Sequence, residues 1–245
     1  MWKAYALSQK SGSILQALRK IILSFRYIYI YNIILSGVIM KNLQQIVLFL
    51  LLPIFAIAQN NITEQKSSVT IEVDGKKHLI KRVEGKDVYL TNEFSLTSRP
   101  SPPFYIQPFK VSKGVDTYGE LEVIDFLEKR QGIFIDARLN SWFQKSNIVG
   151  SINIPFKTFL TDDPKRDKAL LNLGAKRKDG IWDFSEVKTI LLYCNGAWCG
   201  QSPVAIKALK KIGFPENKMK YYRGGIQSWQ LVGLTVNVPN KEAKK

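Results

Sequence analysis

The chain's only two cysteines, Cys194 and Cys199, share one loop, "CNGAWCGQS", residues 194–202. A thiolate is a nucleophile and a sulfur acceptor. Two thiols so close in sequence can also pair, provided their Cα atoms come within about 7 Å. Before the loop, "TILLYC" is apolar and β-prone, which predicts a buried strand running straight into Cys194. After it, Ser202 and Pro203 predict the cap and first position of a helix. Val204/Ala208 and Ala205/Leu209/Ile212 form that helix's apolar face, and Gly213 ends it. A cysteine between a strand end and a helix N-terminus meets positive partial charge and free amides, which lower a thiol pKa and attract anions. Gly196 and Gly200 let the loop backbone turn its N–H groups inward, as a cradle for a thiolate, a persulfide or an oxyanion.

The elements that must position this loop begin at residue 117. "TYGELEVIDFLEK" predicts a helix with Leu121, Ile124 and Leu127 on one face and a capping box from Thr117 to Glu120. "GIFIDAR" predicts a short strand ending in Asp136 and Arg138, "SINIP" a second strand, and "KMKYYR" another before the short helix of "GGIQSWQLVGL". Strands alternating with helices imply an α/β fold with a parallel sheet covered on both faces. Upstream, residues 69–96 predict a small β-meander with a hairpin turn at Asp74-Gly75. Residues 97–116 contain Pro100, Pro102, Pro103 and Pro108 and predict an extended connector. Residues 59–68 are polar and expected to be disordered, and 239–245 form a basic tail.

The formal net charge is +16. Its Lys and Arg residues are spread out, with no basic run interleaved with aromatics, so nucleic-acid binding is not expected. Six basic residues and no acid fall in residues 1–58 (Lys3, Lys10, Arg19, Lys20, Arg26, Lys41). Within them, residues 40–58 read as a secretory signal peptide: Met40 and Lys41, the apolar run Ile46–Ala58, and Ala56-Ile57-Ala58 before the cut. Residues 1–39 are then read as translation from an upstream start codon, with Met40 the true start. The alternative is an uncleaved anchor over residues 21–40, a poor span because of Arg26 and its tyrosines. A membrane is expected to be met only through one of these segments, and the protein is expected to be periplasmic or otherwise exported. The single histidine, His78, and the absence of metal-ligand spacing predict no metal site. Asp162 and Asp163 precede Pro164 and read as a helix start rather than paired catalytic acids.

From 117 to 238 the sequence resembles a rhodanese domain. "FIDAR" (134–138), "VGSINIP" (149–155), "LLYCNGAWCGQS" (191–202) and "YYRGGIQSW" (221–229) carry the resemblance, in the family's order and spacing. It implies a five-stranded parallel sheet flanked by helices, preceded here by the small β-rich segment, and no cofactor. It also implies a sulfurtransferase in which Cys194 takes sulfane sulfur as a persulfide and passes it to a thiol or a cyanide-like acceptor. Residues 195–202 (Asn195, Gly196, Ala197, Trp198, Cys199, Gly200, Gln201, Ser202) would bind the substrate, and Asp136 and Arg138 would support the fold. The resemblance is to exported single-domain rhodaneses with a "YCNGPWCGQS"-like loop. In most of the family the loop has seven residues and an arginine before the capping Ser; here it has nine, and Gln201 stands in the arginine's place. That lowers the pocket's positive charge and weakens the case for thiosulfate as donor. Gly200 stands where phosphatases of this fold need arginine, which argues against phosphate chemistry. Cys199 is read either as a resolving thiol or as a small loop side chain, Trp198 as a shield or as packing, and Arg223 as facing the cleft or as a surface ion pair. Two rival functions stay open: a thiol–disulfide redox protein using Cys194 and Cys199, and a non-catalytic module presenting the loop and N-terminal segment to a protein partner.

Overall fold

The computed structural model describes residues 18–31, 60–85, 87–97 and 105–239. The signal peptide expected at 40–58 lies outside them, as do most of the 1–39 segment and the basic tail. Residues 18–31 form an exposed helix within a separate unit. No described helix is long and apolar enough to cross a membrane.

The second unit runs from Ala58. It opens with a turn closed by the amide of Ile62 on the Lys66 carbonyl, 2.8 Å. The expectation of disorder over 59–68 overlooked Ile62, which packs against the core. Strands β1 (Ser68–Val73) and β2 (Lys76–Lys81) pair antiparallel. Asp74 and Gly75 both take positive φ, 49° and 73°, as a tight hairpin turn requires. The expected meander stops there. "VYLTNEF" yields no third strand but a single 3-10 turn, Glu93–Ser95, capped by the Asn92 side chain on the Phe94 amide. Asn92 is a better cap than strand residue, and Phe94 is buried by the turn.

The domain proper contains β3 (Asp116–Tyr118), α1 (Glu120–Glu128), β4 (Ile133–Asp136), α2 (Asn140–Lys145), β5 (Asn147–Ile148), β6 (Ser151–Asn153), α3 (Pro164–Asn172), β7 (Lys176–Lys178), β8 (Ile181–Asp183), β9 (Ile190–Tyr193), α4 (Gln201–Lys211), β10 (Met219–Tyr222), α5 (Gly225–Leu231) and β11 (Val236–Asn237). Five strands form one sheet in the order β3-β10-β9-β4-β6, every neighbour parallel. The central strand, β9, is buried at all four positions, as its unbroken apolar run requires. Alternation along β9 sends Leu192 to one face with Tyr221, Leu209 and Phe214, and Leu191 and Tyr193 to the other with Tyr222 and Trp229. The β1–β2 hairpin closes this second face with Val69, Ile71 and Ile80. Each such buried aliphatic contributes roughly 1.5–3 kcal/mol. The β-rich segment is therefore part of the core, and its end is tied to the C-terminal stretch by Val83 N to Gly233 O, 2.7 Å, and Thr235 N to Lys81 O, 3.1 Å.

Two helix starts differ from expectation. α1 begins after Gly119, whose amide donates to Glu122 Oε2 at 2.9 Å, so the box runs from 119 to 122 rather than from Thr117. Thr117 belongs to β3, and Leu121 is exposed while Val123, Ile124 and Phe126 are buried. α4 begins at Gln201, with Gly200 as cap and Ser202 inside the first turn. Asp163 does start α3, accepting from the amides of Lys165 and Arg166.

The approach to β3 hangs on Glu216. Its carboxylate accepts from Lys210 Nζ at 2.6 Å, from the Gly114 amide at 3.1 Å and from the Ser112 hydroxyl. Chiefly through Lys210, these donors hold its pKa down to about 2, below the ordinary 4.5. A depressed carboxyl contributes stability above its unfolded value and loses it as pH falls through the folded one. Glu216→Gln is therefore expected to flatten the loss of stability between pH 4.5 and about 2, read as urea midpoints across that range. An acid limb as steep as wild type would remove Glu216 from this role.

Candidate active site

Cys194 follows β9 directly at the C-terminal edge of the sheet, and both cysteines are free and buried, at 1% and 0% exposure. The Cys194 thiol donates to the Cys199 carbonyl at 3.2 Å and lies within hydrogen-bonding reach of the Cys199 sulfur. The Asn195 side-chain amide donates to that same sulfur at 3.6 Å. Burial pushes the Cys194 thiol well up, and Cys199 adds to this, against the opposing pull of the Ser202 hydroxyl and amide. Burial also pushes Cys199 up, but the Cys194 hydrogen bond, the amides of Gln201 and Asn195 and the Asn195 side chain outweigh it and hold it at about 7. A lowered thiol pKa was expected at Cys194; the geometry places it on Cys199, because the inward amides converge on that sulfur.

The rest of the loop is fixed from α5. The amide of Ile226 donates to the Cys194 carbonyl at 3.1 Å and that of Gln227 to the Asn195 carbonyl at 2.9 Å. The first-turn amides of α5 thus take the loop's carbonyls, leaving its N–H groups for the sulfurs. This close approach explains the glycine pair. Gly225 has φ +58°, and a Cβ there would lie 2.4 Å from the Cys194 carbonyl oxygen and 2.7 Å from the Gly196 nitrogen. Gly225→Ala is expected to destabilise the protein by at least about 2 kcal/mol, measured by urea unfolding; a loss under about 0.5 kcal/mol would show that the loop simply moves aside. Gly196 is less confined: a Cβ there would lie 2.9 Å from Gln227 Oε1 and 3.0 Å from Trp198 Nε1, both side-chain atoms. Trp198 donates to Gln227 Oε1 at 2.5 Å, and Gln227 donates to the Phe94 carbonyl at 2.8 Å. Trp198 is thereby tied to the N-terminal segment and lines a groove of about 1230 Å³ with Tyr89, Leu96, Ile106 and Leu231. Ala197 offers only its backbone, Gln201 is buried with its Oε1 unpartnered, and the Asn195 Oδ1 is likewise unpartnered.

The connector crosses the loop. The Gln107 amide donates to the Ala197 carbonyl at 2.8 Å, and Arg223 Nε and Nη2 donate to the Gln107 carbonyl at 3.1 and 3.0 Å. Arg223 thus anchors the connector, and among the described residues it is in no ion pair. Asp136 and Arg138 form a fully buried pair at 2.5 Å beside Tyr193. Sequence reasoning missed Gln107, Gly225 and Gln227; only the doubled glycine carried a visible signal.

The family model described as "Rhodanese-like domain" matches residues 121–231. The curated HTH-type transcriptional regulator Rv0324 of Mycobacterium tuberculosis is 25% identical over 122 residues, covering 50% of this chain and 45% of that protein. The chain therefore spans under half the length of this relative. Among solved structures, BH2092 of Bacillus halodurans is 20% identical with TM-score 0.39, over 53% of this chain and 90% of that one. The human single-domain sulfurtransferase TSTD1 is 18% identical with TM-score 0.36, over 48% and 96%. Through residues 121–231, this chain carries a rhodanese-like domain.

Proposed function

We propose that the chain is a rhodanese-type sulfurtransferase in which Cys194 accepts sulfane sulfur. One observation carries the reading: two buried thiols lie within hydrogen-bonding reach of each other at the C-terminal end of a central strand, with loop and helix amides directed at them. Cys199 takes the proton of Cys194, and the Cys194 thiolate, favoured by Ser202, attacks the outer sulfur of the donor. The donor's sulfur–sulfur bond breaks, and its remaining part leaves with the bonding pair, as sulfite does from thiosulfate. The Cys194 persulfide then passes its outer sulfur to an acceptor thiolate or cyanide, and the Cys194 thiolate returns. No cofactor is needed for this sequence.

The test is the intact mass of the protein after incubation with thiosulfate and, separately, with a small persulfide. One added sulfur in wild type and none in Cys194→Ser is the expected result. The hydrogen-bonding reach between the two thiols favours a second reading, a dithiol that closes to a disulfide. A loss of two hydrogens without sulfur gain would select it. No change with any donor would leave a binding module, reached through the loop and the N-terminal segment. Export is proposed from residues 40–58 alone, and the same spectrum reads it: a processed chain begins near Gln59.

A further inference from the structure

Both cysteines are buried, and neither the groove beside Trp198 nor the hollow beside Arg223 is lined by either of them. The loop itself encloses the sulfurs, and hydrogen bonds to its carbonyls hold it in that shape. The Cys194 and Asn195 carbonyls accept from the first turn of α5, the Gly196 carbonyl from the Cys199 amide at 2.9 Å, and the Cys199 carbonyl from the Cys194 thiol. The Ala197 carbonyl differs, because its donor lies outside residues 121–231: it accepts from the Gln107 amide at 2.8 Å. The strap that brings this amide is held by hydrogen bonds and by little burial. Of residues 105–110 only Gln107 is buried, while Tyr105, Ile106 and Phe109 turn outward at 62%, 84% and 68% exposure. Pro108 biases Gln107 toward extended backbone, which leaves both its amide and its carbonyl to bond outside the strap. The carbonyl accepts from Arg223, which follows β10 directly and precedes the turn whose amides hold the loop.

We propose that residues 105–109 are a latch: while Gln107 bridges Arg223 to Ala197 the cysteine loop stays closed over its sulfurs, and release of the strap is the step that admits a reagent to them. The inference concerns access alone, so it stands apart from whether the pair transfers sulfur or closes to a disulfide. A strap whose apolar side chains already face water forfeits little apolar burial when it lifts. What it gives up is its bonds to a charged donor at Arg223 and to a neutral acceptor at Ala197, and water takes over both partners. Such an opening is local, and it costs less than unfolding the domain.

Alkylation of the full chain by iodoacetamide, followed by mass, reads access without any sulfur donor. Wild type is expected to react far more slowly than the urea-unfolded chain. Arg223→Met removes both bonds to the Gln107 carbonyl and should accelerate the reaction at least about tenfold. Loss of a cation disfavours nearby thiolates and by itself slows alkylation, so a faster reaction is not a charge effect. Gln107→Pro deletes the amide that holds Ala197 and should accelerate the reaction about threefold or more. Gln107→Ala keeps both backbone bonds and should accelerate it less. Urea midpoints of the same variants separate a released latch from general loosening. Rates unchanged in Arg223→Met and Gln107→Pro, or raised only as far as lost global stability requires, overturn the latch. Hydrogen exchange tests it in wild type, where the Gln107 amide should exchange through an opening easier than global unfolding. A Gln107 amide protected to the global limit means that the strap lifts only when the protein unfolds, and it overturns the latch as well.

Discussion

Sulfur loading by Cys199→Ser is expected to survive but to demand alkaline pH, whereas Cys194→Ser should load none at any pH. The difference follows from where the pair keeps its negative charge. In wild type the Cys194 thiol donates while Cys199, held at about 7, carries the charge. Above that pH the pair has one negative charge to share, and proton exchange between two sulfurs within hydrogen-bonding reach makes the Cys194 thiolate. Wild-type loading should therefore rise through about pH 7 and level off. With serine at 199 the acceptor is gone and burial still opposes charge on Cys194. Burial holds Cys194 above an ordinary thiol, so in Cys199→Ser it stays mostly protonated at neutral pH, and loading there should fall well below wild type and climb as pH rises. Loss of the nucleophile itself should cost at least about a thousandfold. Initial rates of mass gain from pH 6 to 10 decide the matter. A Cys199→Ser profile that matches wild type would remove Cys199 as the base, and loading that survives in Cys194→Ser would move the nucleophile to Cys199.

The parts of this site written contiguously were legible. β9, the loop and α4 follow one another, so an apolar run, two glycines and a helix start announced a cysteine at a strand end. The hairpin turn was legible for the same local reason, since Asp74-Gly75 tolerates two positive φ values. The five-stranded parallel sheet came through the family resemblance, without its strand order; a three-residue edge strand such as Asp116–Tyr118 has no periodicity to read. What stayed hidden depends on distant pieces of chain. Gln107 and Arg223 are 116 residues apart, and nothing in a Pro-rich connector says that its carbonyl will cap a guanidinium. Which sulfur is the more acidic was equally out of reach, because it turns on which amides point at which atom. Helix starts shifted by two residues where Gly119 and Gly200, which bring no capping side chain, cap through their backbone. At Gly119 a side chain would lie 3.0 Å from Glu122 Oε2, the atom that closes the box.

Breaking the Asp136–Arg138 pair should be the most damaging change outside the loop. Both side chains are fully buried, and the guanidinium spends Nε and Nη2 on the carboxylate at 2.5–3.0 Å. Nη2 also donates to the Ser146 carbonyl at 2.6 Å, which fixes the entry to β5, and the guanidinium lies 5.7 Å from the Tyr193 ring centre. Desolvation opposes the charged arginine, yet the hydrogen bonds and charge of Asp136 more than reverse this and raise its pKa. Asp136→Asn removes that compensation while the guanidinium, which cannot deprotonate, stays buried. Breaking one side of such a pair costs about 3–5 kcal/mol. For a domain of this size that lowers Tm by roughly 10 °C or more. Removing both charges, as Asp136→Leu with Arg138→Met, forfeits the bond to Ser146 but leaves no uncompensated ion. The double variant should therefore be more stable than Asp136→Asn by at least about 1 kcal/mol. Thermal unfolding of the three proteins separates the cases. A double variant less stable than the single would mean that the arginine's bond to Ser146, rather than the balance of charge, holds the strand end on which Cys194 stands.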